Sequence, residues 1–269
     1  MSAQHITVEH DGAVAVLTFN RPAVLNAFNN ELMRETLDAV AALNASGTTR
    51  AIVVRGAGRA FSAGFDLKAG GDRVMEDVSD WERQMKLQFD FIMQFWHSPK
   101  PTVAVAHGFC LAGAFELMLA CDVTVAAEGT RFGEPEVRFG TGIVAMLLPW
   151  ITGPKQAKEL LLTGDDRIDA ADALRMGIVN HVVPADQAFD KGMAIARTMA
   201  KAAERSVRMT KRAINAQYEA MGLSGALSTA LDMDVLLNAG SSPEKRGFAR
   251  IRKEQGVKAA LAWRDARFK

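Results

Sequence analysis

Cysteine is nearly absent from this chain: there are two, Cys110 and Cys121, each inside an apolar run and neither in a C-x-x-C pair. That excludes a disulfide framework and points to a reduced compartment. The five histidines, His5, His10, His97, His107 and His181, form no H-x-x-x-H pair, so no metal is expected. A G-x-x-x-x-G-K-S/T phosphate loop is also missing. The formal net charge is only +1, which provides no general field for polyanions, and no nucleic-acid partner is expected. The basic cluster Lys201, Arg205, Arg208, Lys211 and Arg212 reads as a solvated helix face. The longest apolar stretch, Ile143 to Ile151, is too short for a bilayer and contains Pro149, so no membrane association is expected. The opening MSAQHITVEHDG has neither the basic nor the apolar region of a secretory signal, and a cytoplasmic protein is expected.

Apolar residues are plentiful, at 49% of 269 residues against 23% charged, which suffices for a large core without cross-links. Alternating apolar residues around Asp11-Gly12 predict a hairpin. Asn29 or Asn30 caps a helix with Leu32, Met33, Leu37, Val40 and Leu43 near helical spacing, ending before Gly47. RAIVVRGAG, KPTVAVAHG and VTVAAEG read as strands, and the stretch from Val74 to Ser98 as one long helix or two. AFELMLACD reads as a short buried helix, and two further helices end at Gly164 and Gly177. From about Asp186 the pattern is helical. The expectation is an α/β core over residues 1–190 and a helical subdomain over 191–269.

Two tempting motifs fail. RGAGRAF follows a strand, but Phe61 stands where a dinucleotide fingerprint needs its third glycine. AFSAG resembles a nucleophile elbow with Ala60 in place of its first glycine, so Ser62 reads as a structural small residue.

Two stretches instead fit together. GRAFSAGFDLK, Gly58 to Lys68, leaves a strand and exposes small-residue backbone; AVAHGFCLAGAFELMLACD does the same through Ala112, Gly113 and Ala114 before a helix whose first turn carries Glu116. Small residues at a helix start let a ligand approach unpaired N–H groups, and two such loops facing one point make an oxyanion hole. Glu116 and Glu136 are the candidate acid and base. Taken singly, a first-turn Glu more often serves the helix end, and a loop Glu beside proline is usually just exposed.

NRPAVLNAF, GRAFSAGFDLK, PKPTVAVAHGFCLAGAFELMLACDV, RFGEPEV and AKELLLTGDDRIDAADALRMGIVNHVVP occur in the order and approximate spacing of the crotonase superfamily, and the chain most resembles an enoyl-CoA hydratase. The resemblance implies a spiral of repeated β-β-α units with a C-terminal helical part that builds trimers, often paired into hexamers. It implies an acyl-CoA substrate, no separate cofactor, and oxyanion N–H groups from Phe65 and Gly113. Ala63, Phe65, Asp66, Leu67, Lys68 and Gly113 would line the thioester and CoA. Both carboxylate positions are filled, by Glu116 and Glu136, which favours hydration over isomerisation; Glu134 is a nearby rival, set aside because the family residue directly follows the proline. Other crotonase chemistry on an acyl-CoA, or a non-catalytic CoA- or nucleic-acid-binding role, are the alternatives.

The chain departs from the family pattern in places. After Glu136 it is shorter and carries bulky Met146, Leu147, Leu148 and Trp150, which puts the size of the acyl group in question. Arg138, two residues after Glu136, is at a position more often occupied by a surface residue, but it could pair with Glu136 or a substrate carboxylate. Ala260 and Trp263 stand where relatives offer an aromatic residue and a lysine to the neighbouring subunit's CoA, and Ala23-Val24 replaces a basic residue.

Overall fold

The computed structural model describes residues 5–71, 73 and 75–268. The expected hairpin forms: β1 (Ile6–Asp11) and β2 (Val14–Phe19) pair antiparallel, with Gly12 at a φ of +57° in the turn. In α1 (Asn30–Ala45), the Asn29 side chain accepts from the Leu32 N–H at 3.0 Å, closing a helix start that would otherwise leave that donor unpaired. β3 (Ala51–Gly56) follows, then a short α2 (Leu67–Gly71) and α3 (Val78–His97), which is a single helix capped by Asp77.

The middle of the chain repeats one theme. β4 (Thr102–Ala106) runs into β5 (Phe109–Leu111) and α4 (Gly113–Ala120); β6 (Val123–Ala127) runs into β7 (Arg131–Gly133) and α5 (Glu136–Phe139). A short α6 (Leu148–Ile151) and α7 (Pro154–Thr163), ended by Gly164 in the left-handed region, lead to β8 (Ile168–Asp169), α8 (Ala170–Arg175) and β9 (His181–Val183). The first strand of each unit enters a six-stranded sheet of order β1-β2-β3-β4-β6-β9, parallel apart from the hairpin. The second enters a three-stranded sheet of order β5-β7-β8. Ser62 bridges to Cys110, so the Gly58 loop runs along β5 as a rudimentary strand of the same small sheet. This is the β-β-α spiral that the resemblance implies.

Five helices complete the chain: α9 (Ala188–Lys201), α10 (Glu204–Ala220), α11 (Leu223–Ala239), α12 (Pro243–Gln255) and α13 (Val257–Ala266). The central parallel strands β3, β4 and β6 are buried on both faces, as such strands require. Val53, Val103, Val105 and Val125 pack against Met193 and Ala196 of α9, while Leu17, Ile52, Val54 and Ala104 belong to the main core with α1, α3 and α4. α11 adds Leu223, Leu227 and Val235 to that core. Among the described residues no single helix is long and apolar enough to cross a membrane.

One sequence reading of the tail is corrected. Lys211 is not on a solvated face: it is 8% exposed, and its Nζ donates to Phe95 O, Lys100 O and Asp122 Oδ2. α10 therefore turns one cation inward, where three acceptors replace its water. Ala260 is fully buried against Phe248 and Ile251, where α12 and α13 pack on each other, and Trp263 covers Gly247 of α12. Its small side chain is accounted for by packing within one subunit.

Candidate active site

The Gly58 loop is held from behind by Asn26. This residue is completely buried at a φ of +55°, a left-handed conformation that asparagine tolerates better than most. Its Nδ2 donates to Ala57 O and Ala60 O at 2.8 Å each and to Phe61 O at 3.3 Å, while its Oδ1 accepts from Arg21 N. The Ser62 hydroxyl donates to Asn26 O and accepts from Gly64 N, so Ser62 is structural, as its failed motif predicts. A parallel bridge then ties Phe28 to Phe65: Phe28 N donates to Gly64 O at 2.8 Å and Asp66 N to Phe28 O at 3.0 Å. In extended backbone, successive amides point to opposite sides, so the Phe65 N–H points away from the bridge.

The second loop meets the first. Ala112 has φ +57° and ψ −137°, a conformation costly for a residue with a Cβ, and its N–H donates to Gly133 O. The chain then enters α4 at Gly113, whose N–H, at the first helical position, has no intrahelical acceptor. A Cβ on Gly64 would fall 2.6 Å from Ala112 Cβ and 3.4 Å from Gly113 N. Gly64, directly before Phe65, thus packs against the backbone that carries the Gly113 amide.

The residues expected at CoA divide. Ala63 is half-buried, with its N–H on Leu25 O, and Leu67 and Lys68 are exposed at the start of α2. The Asp66 side chain is already engaged. It accepts from Arg21 at 2.9 Å and from the Lys68 and Ala69 amides. Burial opposes its ionisation, but the Ala69 and Arg21 hydrogen bonds outweigh that and hold the carboxyl below its ordinary range.

Glu116 does not cap its own helix. Its Oε2 accepts from Ala145 N at 2.5 Å, in the segment after α5, and its Oε1 is buried without a donor. The bulky residues of that segment anchor it: Leu147 and Leu148 are buried, and Met146 and Trp150 pack against the main core. Glu136 begins α5 with its side chain half-buried. One oxygen each from Glu116, Glu134 and Glu136 lie within 4.8 Å of one another, a grouping that could also hold a cation and that no H-x-x-x-H or C-x-x-C search would find.

Proton affinity rises throughout this cluster. Burial, then the Glu136 charge, push Glu116 well above the carboxylate range. Burial, then Glu136 and Glu116, do the same to Glu134. Burial pushes Glu136 up to about 7, restrained chiefly by the neighbouring Glu134 carboxyl. Like charges this close cannot all ionise together. A fourth acid, Asp234 of α11, accepts from Gly142 N at 2.9 Å and is pushed up by burial to about 6. Nothing in the sequence pattern marked Asp234; only the packing of α11 brings it here. Arg138 is corrected: its Nε donates to Thr163 O and its guanidinium lies 3.7 Å from Asp166, so it is committed away from Glu136. A cation that does act on Glu136 is Arg264 of α13.

The β-β-α spiral, with its C-terminal helices, defines a crotonase-fold protein. The family model described as enoyl-CoA hydratase/isomerase matches residues 9–253, and the chain belongs to that family. It is 34% identical over 84% of its length to a probable enoyl-CoA hydratase of Mycobacterium tuberculosis, covering 87% of that protein. A crotonyl-CoA hydratase of Syntrophomonas wolfei is 31% identical over 100% of this chain and 99% of its own. The crystal structure of an enoyl-CoA hydratase/isomerase from Xanthobacter autotrophicus Py2 superimposes with a TM-score of 0.97 at 46% identity, covering both chains completely.

Proposed function

We propose that the protein is an enoyl-CoA hydratase, adding water across the α,β double bond of an acyl-CoA thioester, with Glu116 and Glu136 as acid and base and the Phe65 and Gly113 amides as oxyanion donors. The observation that carries this reading is the meeting of two buried-site carboxyls from different helices, Glu116 and Glu136, within 4.8 Å. The chemistry follows. The oxygen of water bonds to the β-carbon, and the π electrons move through the thioester to its oxygen. Two preorganised N–H groups stabilise that negative charge by roughly a few kcal/mol each. One carboxyl takes the proton lost by water and the other gives a proton to the α-carbon, so water is added with no change of oxidation state and no separate cofactor is needed. Each proton transfer is worth about a hundredfold or more. Ala63, Leu67 and Lys68 line the CoA in this reading, while Asp66 acts through its backbone, since Arg21 occupies its side chain.

The same reading carries a homotrimer or paired trimers in the cytoplasm, with residues 1–190 as the acyl-CoA core and 191–269 as the associating subdomain. Exposed Met221, Met233, Leu236 and Leu237, from 52% to 69% accessible in one subunit, support self-association. No nucleic-acid or membrane partner enters it. The test follows loss of the conjugated thioester absorbance over enoyl-CoAs of graded length and branching. Wild type should yield the 3-hydroxyacyl-CoA, and Glu116→Gln and Glu136→Gln should each lose about a thousandfold in turnover with acyl-CoA affinity little changed. A shifted double bond or free CoA as the product would move the protein to another crotonase chemistry.

A further inference from the structure

The third carboxyl, Glu134, has no place in two-residue acid–base chemistry, yet it lies inside the cluster. It is 2% exposed, and Gly133 and Pro135 on either side are buried as well. Its backbone N–H donates to Asp165 O at 3.1 Å, and a Cβ on Gly133 would fall 2.2 Å from that same oxygen, so the chain here cannot turn Glu134 outward. One oxygen of Glu134 lies within 4.8 Å of oxygens on both Glu116 and Glu136. Glu134 Oε2, Glu136 Oε2 and Glu116 Oε1 are buried and take no hydrogen bond from any other group. An ionised carboxylate enclosed in this way would leave its lone pairs unmatched beside two further acids, at a cost the neutral acid avoids.

We propose that Glu134 is a positioning residue that keeps its proton and donates its O–H to Glu136, fixing the orientation of that carboxyl and drawing its titration back towards neutrality. The charged and titratable groups facing it are Glu136 of α5, Glu116 of α4 and Cys110 of β5; Asp234 of α11 and Arg264 of α13 act on Glu136. The Cys110 thiol is itself pushed well above its ordinary range by burial and supplies no charge. Among the described residues no cation forms an ion pair with Glu134, and the leading influences on it all favour its neutral form. Glutamine at this position keeps an N–H donor of similar reach without the ability to titrate; leucine keeps the volume and removes the donor.

The kinetic consequence rests on Glu136 serving as acid or base, but the protonation does not, so the two are measured separately. In infrared difference spectra of substrate-free protein, the protonated-carboxyl C=O intensity should fall in Glu134→Gln at neutral pH. Unchanged intensity means that Glu134 is ionised and overturns the proposal. In the pH profile of kcat/KM, the limb that reports Glu136 should move to higher pH in Glu134→Leu by about one unit, with a roughly tenfold or greater fall in kcat and little change in KM. Glu134→Gln should hold most of the wild-type kcat and limb position. Superimposable profiles of a folded leucine variant and wild type overturn it. So does stoichiometric binding of magnesium or manganese that disappears in Glu134→Gln, which would make the cluster a cation site instead. Wild type inactive on every enoyl-CoA would defeat the hydratase reading while leaving the infrared result to decide the protonation.

Discussion

The Phe65 ring occupies the space that any side chain on Gly113 would need: a Cβ there would fall 2.3 Å from Phe65 Cε2 and 2.5 Å from Cζ. The two loops are therefore mutually adjusted, one giving up its side chain so that the other can lay a ring across it. Gly113→Ala must push Phe65 and its amide aside. If those amides hold the thioester oxygen, kcat should fall by about a hundredfold to a thousandfold, the usual cost of losing one oxyanion donor. Stopped-flow or steady-state hydration with crotonyl-CoA checks this, and a loss below threefold would separate the Phe65 position from catalysis.

Asn26 should matter as much as any residue in direct contact with substrate. It satisfies three carbonyls of the Gly58 loop from a fully buried position. Asn26→Ala strands those acceptors and leaves alanine in a left-handed conformation, so the expected loss is about 2–4 kcal/mol of stability in urea unfolding. Activity should drop well below the level that the unfolded fraction alone explains, because the Phe65 amide is no longer held.

The sequence makes the large sheet and most helices legible for simple reasons. An Asp-Gly turn admits few alternatives, valine-rich runs fit strands buried on both faces, and Asn29 marks a helix start. The small sheet is another matter. β5 and β7 have three residues each and β8 has two, too few for any periodicity to register. Glu116 and Glu136 could be placed near each other only by resemblance, and the structure brings them together. Glu134, Asp234 and Arg264 become part of the site through the approach of separate elements, which spacing along the chain does not record. Lys211 sits among Arg205, Arg208 and Arg212 with the same helical spacing, and only the carbonyls of Phe95 in α3 and of Lys100 before β4, with the Asp122 carboxylate, distinguish the cation that turns inward.

That inward lysine leads to a stability prediction remote from the site. Lys211 links Phe95 O, Lys100 O and Asp122 Oδ2, and Asp122 in turn accepts from Thr102 N and Oγ1. Lys211→Met removes the cation of that arrangement and leaves buried acceptors unpaired. A loss of about 2–3 kcal/mol is expected, somewhat under the range for fully enclosed ion pairs because Asp122 retains solvent. Arg208→Ala and Arg212→Ala, on the outer face, should change chemical stability by less than about 0.5 kcal/mol.

The pH dependence of stability should report the site carboxyls without any substrate. A carboxyl whose pKa is raised by folding binds protons more tightly in the native state, so stability falls as pH rises from the unfolded value through the folded one. For Glu136 that window runs from 4.5 to about 7, and for Asp234 from 3.8 to about 6. Glu116 and Glu134, pushed well above 4.5, extend the same loss to higher pH. Asp66, held low, works in the opposite sense and costs stability only as the solution becomes acidic. Comparing wild type with Glu116→Gln cancels that contribution, because both proteins keep Asp66. Glutamine retains an oxygen for the Ala145 N–H and cannot ionise. The variant should therefore match wild type at about pH 4 and exceed it at about pH 8 by roughly a few degrees in Tm. Parallel Tm curves across that range would mean that Glu116 carries no penalty for its charge, and that the cluster holds its acids ionised.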